Sequence, residues 1–475
     1  MSQPPTTVAA VFPTMDPELN LKRYTHIYFL GIGGIGMSAL ARWFLSNGYV
    51  VAGYDKTSTP LTQALEAEGM EVNYQDLLSA MPDWIKVWSD KTLVVLTPAI
   101  PTDHQQWNWL LAKEFRIFKR AKVLGLIASG HKTIGIAGTH GKTTTSTMLA
   151  HLLKSGGVAT TAFMGGIARN YNTNLLLSAK PAAETWLVAE ADEFDRSFLH
   201  LYPQITVLTS TDADHLDIYG HADDLLETFG LFVGQVQVGG TVYTRKGITT
   251  VVPPHAKHHE FDLASAEICA QDLKVQNDCF SFDAKLHNQL VPGIVLQMPG
   301  YHNVANALAA AAVASEIGLN ADQIREGLNS FKGVGRRFEF VKQTEATTFI
   351  DDYAHHPTEI EAFLSSVKAM YPNRRVTAIF QPHLYSRTRD FLMGFAKALG
   401  LADEVILLDI YPAREQPIPG VTSERLLELI PIQNKLLLPK QRLVGYLANH
   451  PVEVICTIGA GDIDAMVQSI AQVLR

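Results

Sequence analysis

Cysteine is scarce in this chain of 475 residues, which contains only Cys269, Cys279 and Cys456. Their spacing matches neither a metal-binding motif nor a disulfide framework. Long hydrophobic runs are also missing, because the longest apolar stretch, 305–314, is interrupted by Asn306 and is too short to span a bilayer. The first residues lack the basic start and apolar core of a signal peptide, so we expect a cytoplasmic protein that does not enter a membrane.

No single sign of charge dominates, since 39 basic side chains accompany 47 acidic ones and the formal net charge is -8. This balance argues against a general nucleic-acid-binding protein, although it allows a local basic pocket for an anion. Glycine (34) and proline (23) occur at ordinary frequencies, which excludes collagen-like and low-complexity chains. Apolar residues make up 47%, enough for several packed cores, and the length predicts about three domains.

Apolar segments typical of strands alternate with helical patterns from residue 26 almost to the end, which predicts an α/β fold. The alternation of strand and helix patterns begins anew at two points, and we interpret this as three successive α/β units. The stretch 235–298 carries short Val/Thr-rich runs and turn residues instead, so we expect an antiparallel β insertion there. The predicted organisation is a disordered leader over 1–21, followed by units over 22–121, 122–334 and 335–475.

The first unit opens with a glycine-rich turn between a strand and a helix. Glycines in such a turn let the backbone approach a pyrophosphate closely, and the N-terminus of the helix favours negative charge. Asp55 ends the next strand, where an acid that binds a ribose would lie. The pattern predicts a dinucleotide or nucleotide-diphosphate site without distinguishing NAD from a UDP-sugar, and a tight structural turn is the alternative. The glycines are Gly31, Gly33, Gly34 and Gly36.

A stronger signal is the segment GTHGKTTT, which again follows a strand and opens a helix. Backbone N–H groups of such loops bind phosphates, a lysine reaches the terminal phosphates, and a hydroxyl group binds Mg²⁺. Lys142 and Thr143 are the candidates for the last two roles. The general Walker pattern requires glycine where this chain has Ile136, so the match is to the narrower pattern G-T-x-G-K-T. A chance Gly-Lys-Thr at a helix start is the alternative.

A triphosphate site also needs metal ligands at the ends of neighbouring strands. Glu190 ends an apolar strand, as an acid of the Walker B type would, and His215 follows the next strand. Because Mg²⁺ prefers oxygen ligands, a hydrogen-bonded structural role for His215 is the more ordinary interpretation of the residue alone.

Polar residues recur at later positions that could contact a nucleotide or a substrate. His302, Asn303 and Asn306 open a helix, where they could read an adenine edge or act as caps. Arg336 and Arg337 lie at the second predicted boundary, where a cation could reach a phosphate across a cleft or form a surface ion pair. Ligands of open α/β sheets bind beyond the carboxyl ends of strands. The last unit places there Asp351, His355, Arg387 and Arg389.

Eight motifs, taken in order, make the chain resemble the Mur ligases of bacterial cell-wall synthesis from about residue 22 almost to its end. The motifs are GIGGIGMS, IAGTHGKTTT, EADEFDRSFLHL, DADHLDIY, GYHNVANALAA, GVGRRFE, DDYAHHPTEI and FQPHLYSRTRD. The resemblance implies a Rossmann-like UDP-binding domain, a central P-loop ATPase-type α/β domain and a C-terminal Rossmann-like domain that binds an amino acid.

The resemblance also implies an ATP-dependent amide ligation with Mg²⁺ as cofactor. The lactyl carboxylate of UDP-N-acetylmuramate would attack the γ-phosphorus of ATP, and the amine of L-alanine would then attack the acyl phosphate. We therefore expect these two small molecules as partners, no nucleic acid or membrane, and a monomer or weak homodimer.

The same resemblance, carried over motif by motif, implies four groups of site residues. The catalytic residues would be Lys142, His215 and Arg337, and the metal ligands Thr143, Glu190 and His215. The UDP-sugar site would contain Gly31, Gly33, Gly34, Gly36, Met37, Ser38 and Asp55. The ATP site would contain Gly138, Thr139, His140, Gly141, Lys142, Thr143, Thr144, His302, Asn303, Asn306, Arg337 and Asp351. The amino acid would contact His355, Arg387 and Arg389.

Two features depart from the family pattern. Leu384 occupies a position where members often have arginine, which leaves open whether Arg387 or Arg389 holds the alanine carboxylate. The segment 169–174 has no role that the resemblance assigns.

The alternatives are a related ligase that adds a tripeptide to the same UDP-sugar, a nicotinamide-dependent oxidoreductase, and a binding protein that hydrolyses ATP as a switch. The SFLHL run favours the alanine-adding type, and the GTHGKTT loop argues against the oxidoreductase.

Overall fold

Packing divides the protein into two compact units, one ending at Ile127 and the other beginning at Ala128. The first unit contains one β-sheet and the second contains two. No helix among the residues described is both long and apolar enough to cross a membrane. The structure is a computed structural model, and it describes residues 20–212, 219, 221–276, 279–413 and 415–474.

The first sheet is parallel, with strand order β3-β2-β1-β4-β5. Its central strand has four buried apolar residues in a row, as expected for a strand covered on both faces by helices. The strands are β1 His26–Leu30, β2 Val50–Tyr54, β3 Glu71–Asn73, β4 Thr92–Leu96 and β5 Arg116–Lys119. The helices are α1 Ile35–Ser46, α2 Pro60–Ala67, α3 Trp84–Val87, α4 Gln105–Ala112 and α5 Arg120–Ala128, with 3-10 turns at Leu21–Arg23, Leu78–Ala80 and Ser89–Lys91.

The second sheet has the order β15-β14-β13-β12-β11-β10-β6-β9-β7-β8. Its strands are β6 Lys132–Ala137, β7 Thr160–Ala168, β8 Thr173–Leu176, β9 Trp186–Glu190, β10 Ile205–Leu208, β11 Thr241–Arg245, β12 Lys257–Asp262, β13 Ile268–Gln276, β14 Cys279–Lys285 and β15 Leu290–Leu296. Its helices are α6 Lys142–Ser155, α7 Ala222–Gly234, α8 Tyr301–Ile317 and α9 Ala321–Ser330, with 3-10 segments at Ala182–Glu184 and Phe194–His200. The inner strand β6 leads directly into the loop before α6, so this loop lies at the carboxyl edge of the sheet.

The expectation of an antiparallel insertion over 235–298 is wrong for its first half. Strand β11 pairs in parallel with β10, and β12 pairs in parallel with β11. The reason is the crossover helix α7 between β10 and β11, which returns the chain to the same end of the sheet. Among the described residues of this stretch, only β14 forms antiparallel pairs, with β13 on one side and β15 on the other, and these strands extend the same sheet.

The third sheet has the order β16-β17-β21-β18-β19-β20, and only β16 runs antiparallel to its neighbour. Its strands are β16 Glu339–Gln343, β17 Thr348–Asp352, β18 Val376–Phe380, β19 Glu404–Leu407, β20 Lys435–Leu437 and β21 Val454–Ile458. Its helices are α10 Pro357–Met370, α11 Tyr385–Asp390, α12 Leu392–Leu399, α13 Ser423–Leu429, α14 Lys440–Asn449 and α15 Val467–Val473, with a 3-10 turn at Asp462–Met466.

The α/β class and its three sheets are confirmed, whereas the predicted domain boundaries stay predictions. Helix α5 spans the predicted boundary after residue 121, and the more compact division follows Ile127. The second and third sheets share one compact unit, because apolar residues of both belong to a single core cluster.

Helix α8 is buried on every side from Asn303 to Ala314, and its small side chains allow close packing against α6. We expect Ala311→Leu to lower the free energy of unfolding by about 1–3 kcal/mol, because a larger side chain has no space there. Urea unfolding of the variant measures this difference. The control is Ala183→Leu, at an exposed position, and equal stability of both variants would contradict the packing described.

Candidate active site

The glycine-rich turn between β1 and α1 is held by hydrogen bonds to the end of β2. The Gly31 N–H, at φ +88°, donates to the carbonyl oxygen of Tyr54 at 2.8 Å. The Gly33 N–H donates to Oδ2 of Asp55 at 2.7 Å, and any side chain on Gly33 would overlap this carboxylate. Asp55 therefore organises the turn from the position where the sequence predicts an acid that binds ribose.

Arg120, which no sequence motif singles out, lies beside the start of α1. A Cβ atom placed on Gly36 would lie 2.6 Å from Nη1 of Arg120. Met37 and Ser38 are buried in the same helix turn. Because a guanidinium group and a helix N-terminus both favour an anion, Arg120 joins the residues suited to a diphosphate.

The loop from Gly138 to Gly141 is shaped by two left-handed glycines and by hydrogen bonds to the end of β10. Gly138 has φ +131° and Gly141 has φ +83°, values that glycine adopts without strain. The His140 N–H donates to Oγ of Ser210 at 2.7 Å, and the Thr139 and Ser210 hydroxyls lie 2.9 Å apart. These hydrogen bonds hold the backbone of the predicted phosphate loop in place.

Lys142, the first residue of α6, folds back over this loop. Its Nζ donates to the carbonyl oxygens of Gly138 at 2.6 Å and Thr139 at 3.3 Å, and to Glu193 at 2.9 Å. Glu193 is fully buried. Burial alone would lower the pKa of Lys142, but the nearby carboxylates, above all Glu193, raise it above its usual value. The lysine is therefore charged and is held at the loop by a buried counter-ion.

Glu190 and Thr143 are brought together at the carboxyl end of β9. Burial raises the pKa of Glu190 above its usual value, although the Thr143 hydroxyl group beside it acts in the opposite direction. Its Oε2 is buried and has no hydrogen-bond partner among the described residues. A buried carboxylate oxygen without a donor, next to a hydroxyl group, fits a divalent cation with oxygen ligands. The predicted third ligand, His215, lies outside the described residues.

The start of α8 lies against the phosphate loop. The Asn303 amide donates to the carbonyl oxygen of Pro299 at 2.7 Å, and the Asn306 amide donates to Oδ1 of Asn303 at 3.3 Å. A Cβ atom on Gly141 would lie 2.6 Å from Oδ1 of Asn306, so this asparagine requires glycine in the loop. Burial lowers the pKa of the neighbouring His302 to about 4, which keeps its imidazole neutral at pH 7.

One cavity joins most of the residues predicted for ATP. Its wall combines the phosphate loop, the start of α8, the end of β10 and parts of the C-terminal sheet. The lining residues are His140, Gly141, Thr143, Thr144, Thr209, Ser210, Asp212, Arg245, Met298, His302, Asn303, Asn306, Arg337, Asp352, Thr358, Glu359, Ala362 and Phe363.

The linker between α9 and β16, residues 331–338, carries two neighbouring arginines that have different surroundings. Arg337 lines the cavity, with its guanidinium carbon 5.0 Å from the ring centre of Tyr353. Arg336 instead pairs with Asp351, Nε to Oδ2 at 3.2 Å. The adjacent acid, Asp352, is the one that lines the cavity, and burial raises its pKa to about 6. The structure thus places Asp351, the acid predicted for the ATP ribose, in an ion pair, with Asp352 at the cavity wall.

The residues predicted for the amino acid lie on two segments of the C-terminal sheet. His355 follows β17, and its ring centre is 6.2 Å from that of His383. Arg387 is buried on α11, whereas the Arg389 side chain is 55% exposed and donates to Asp390 at 2.7 Å. Burial makes Arg387 the better-placed of the two cations for a bound carboxylate.

The segment 169–174 contacts the linker before the third sheet. The Arg169 N–H donates to the carbonyl oxygen of Gly333 at 3.0 Å, and the Lys332 N–H donates to Oδ1 of Asn170 at 2.8 Å. A bridge between Ala168 and Val334 continues this pairing. The segment therefore holds the linker that carries Arg337.

Sequence reasoning missed Arg120, Glu193, Asp352 and Glu359 as individual residues. Glu193 lies in the EADEFD motif among other acids, so its type and place did not distinguish it. Glu359 has one recognisable signal, its position three residues after His356, which predicts a capping box at the start of α10.

Three segments of the chain match families of known proteins. Residues 26–132 match "Mur ligase family, catalytic domain", 136–314 match "Mur ligase middle domain", and 336–461 match "Mur ligase, glutamate ligase domain". Together they cover both compact units and all three sheets. The chain belongs to the Mur ligase family.

Similar curated proteins cover nearly the whole chain. A protein from Cytophaga hutchinsonii named UDP-N-acetylmuramate–L-alanine ligase is 46% identical over 95% of this chain and 97% of its own length. A protein of the same name from Porphyromonas gingivalis is 45% identical over 94% of this chain and 99% of its own.

Solved structures agree with the fold. The crystal structure of UDP-N-acetylmuramate–alanine ligase from Thermotoga maritima matches with a TM-score of 0.77 and 27% identity, over 94% of this chain and 98% of that one. A murein peptide ligase from Psychrobacter arcticus shares the fold with a TM-score of 0.67 and 23% identity, over 94% and 98% of the two chains.

The low pKa of His302 makes the stability of the protein depend on pH. An unfolded histidine binds a proton near pH 6.5, but the folded one does so only near pH 4, so the free energy of unfolding falls as the pH drops between these values. Over this pH range, the free energy of unfolding of His302→Gln should fall by about 1–3 kcal/mol less than that of the wild type, because the variant lacks the titrating group. Urea unfolding at several pH values tests this, with His450→Gln, at an exposed position, as control. Identical pH dependence of wild type and His302→Gln would contradict it.

Proposed function

We propose that this protein is an ATP-dependent ligase that joins L-alanine to the lactyl carboxylate of UDP-N-acetylmuramate through an acyl phosphate. The observation that carries the proposal is the cavity in which the phosphate loop, beside a charged Lys142, meets the end of β17 and the first half of α10. The curated relatives of the alanine-adding type, similar over nearly the full chain, support this choice of substrates.

Phosphoryl transfer in this proposal depends on charge compensation at the loop. A carboxylate cannot accept an amine at neutral pH without activation. A carboxylate oxygen would attack the γ-phosphorus of ATP, and ADP would leave, which forms the acyl phosphate. Lys142 would leave its contacts with the loop carbonyls to bind the phosphates, and Arg337 would approach them from the cavity wall. The amine of L-alanine then attacks the acyl carbon, and inorganic phosphate leaves.

Thr143 and Glu190 fit a Mg²⁺ ion, and His215 is the third ligand that we propose. Negative charge on the transferring phosphoryl group would be neutralised by Mg²⁺ bound there. Glu190 suits this role because its buried oxygen has no donor among the described residues.

The remaining substrates have candidate sites at other strand ends. The turn from Gly31 to Ser38, with Asp55 and Arg120, would bind the UDP group through backbone N–H groups and one cation. His355 and Arg387 would hold L-alanine, with Arg387 pairing with its carboxylate. We further propose that the enzyme works in the cytoplasm, as a monomer or weak homodimer.

Phosphate release tests the substrates directly. We expect release to need ATP, Mg²⁺, UDP-N-acetylmuramate and an amino acid together, with L-alanine the best of an amino-acid panel. The panel includes the tripeptide used by related ligases and NAD as a competitor of the UDP-sugar. Equal stimulation by the tripeptide, full turnover with ATP alone, or tight competition by NAD would each overturn the assignment.

Removing the side chain of Lys142 tests whether the proposed ATP site and the proposed UDP-sugar site are independent. Lys142→Ala should lower the ligation rate by about 10²–10³-fold, because one preorganised charge contact is lost. It should still bind UDP-N-acetylmuramate in calorimetry, because that site is in the other compact unit. Lys154→Ala, at an exposed position of the same helix, is the matched control. A Lys142→Ala rate within tenfold of wild type would contradict its role.

A further inference from the structure

The two carboxylate oxygens of Glu359 have different partners. Its Oε2 accepts from the N–H groups of His355 at 2.9 Å and His356 at 3.3 Å, which completes a capping box at the start of α10. Its Oε1 lies 3.2 Å from Nδ1 of His140 and 3.7 Å from Nη1 of Arg337. A capping box needs only the first oxygen, so the second is available for contacts outside the helix.

His140 is part of the phosphate loop and belongs to the central sheet. Its backbone N–H is fixed by Ser210, and its Nε2 lies 3.4 Å from Oδ2 of Asp212. The imidazole therefore shares a hydrogen bond with Glu359 of α10 through Nδ1, whereas Asp212 lies near Nε2 without forming one. Its ring centre is also 4.9 Å from that of His356, so the contact between loop and helix is continuous.

The charge of Glu359 favours this arrangement. Burial alone would raise the pKa of its carboxyl group, but His355, His140 and Arg337 together hold the pKa well below its usual range. The carboxylate is thus ionised at neutral pH. It shares hydrogen bonds with the phosphate loop and with the turn before α10, and it forms an ion pair with Arg337.

We propose that Glu359 is a positioning residue that holds the C-terminal sheet against the phosphate loop through His140, and so shapes the closed ATP site. It acts through His140 and Arg337 rather than on the reacting atoms. Loss of its carboxylate would free the loop on one side and leave Arg337 without this partner. The inference rests on the proposed function only for turnover, because ATP binding and loop protection are measured without the other substrates.

The test compares Glu359→Ala and Glu359→Gln with Glu361→Gln. Glu361 is on the same helix, is half exposed and contacts Lys397 outside the cavity, so it is the matched control. We expect Glu359→Ala to weaken ATP binding in calorimetry about tenfold. Glu359→Gln retains a capping oxygen but not the charge, so its affinity for ATP should lie between those of Glu359→Ala and the wild type. Glu361→Gln should bind ATP with the affinity of the wild type.

Hydrogen exchange distinguishes positioning from simple capping. In Glu359→Ala, amide exchange should rise in the loop 138–141 as well as at 355–360. A rise confined to 355–360, with unchanged ATP affinity, would show that Glu359 only caps the helix and would overturn the proposal.

A double-mutant cycle with His140 tests the route of the effect. If Glu359 acts through His140, then His140→Asn combined with Glu359→Gln should weaken ATP binding less than the product of the single effects. Multiplicative losses would overturn the proposed route. If the wild type binds ATP but shows no L-alanine-dependent turnover, the proposed function fails, while the calorimetry and exchange data still decide the role of Glu359.

Discussion

The buried ion pair between Lys142 and Glu193 is the interaction on which the site depends. A buried lysine without a counter-ion would lose its charge or destabilise the loop, and Glu193 prevents both. In the proposed function, Lys142 would leave Glu193 when it binds a phosphate, and this buried carboxylate would lose its partner. Thr143 and Glu190 would hold the divalent cation, which would supply positive charge at the site.

Close packing around the loop adds a second constraint. Asn306 lies where a side chain on Gly141 would be, and Glu359 contacts His140 from the opposite side. The loop therefore has little freedom, and its geometry is determined by a helix of the central domain and by a helix of the C-terminal domain.

The fold class could be predicted from the sequence, and most residues selected for ATP line one cavity, because strand–turn–helix patterns and glycine positions are local signals. The resemblance selected Asp351 for ATP, whereas Asp352 lines the cavity. Neighbouring residues of a strand face opposite sides, and only packing shows which side holds Arg336. The sequence could not identify Glu359, whose partner His140 is 219 residues away. It also predicted antiparallel pairing for β11 and β12, because strand direction depends on the crossover helix before them.

The central claim is that the lactyl carboxylate is activated as an acyl phosphate in the cavity beside Lys142. The most direct measurement uses UDP-N-acetylmuramate with both lactyl carboxylate oxygens labelled with ¹⁸O, followed by mass spectrometry of the released phosphate. The account predicts that each phosphate carries one ¹⁸O atom from the carboxylate and that the amide product retains the other. Released phosphate without ¹⁸O, formed at the same rate as the amide, would contradict the account.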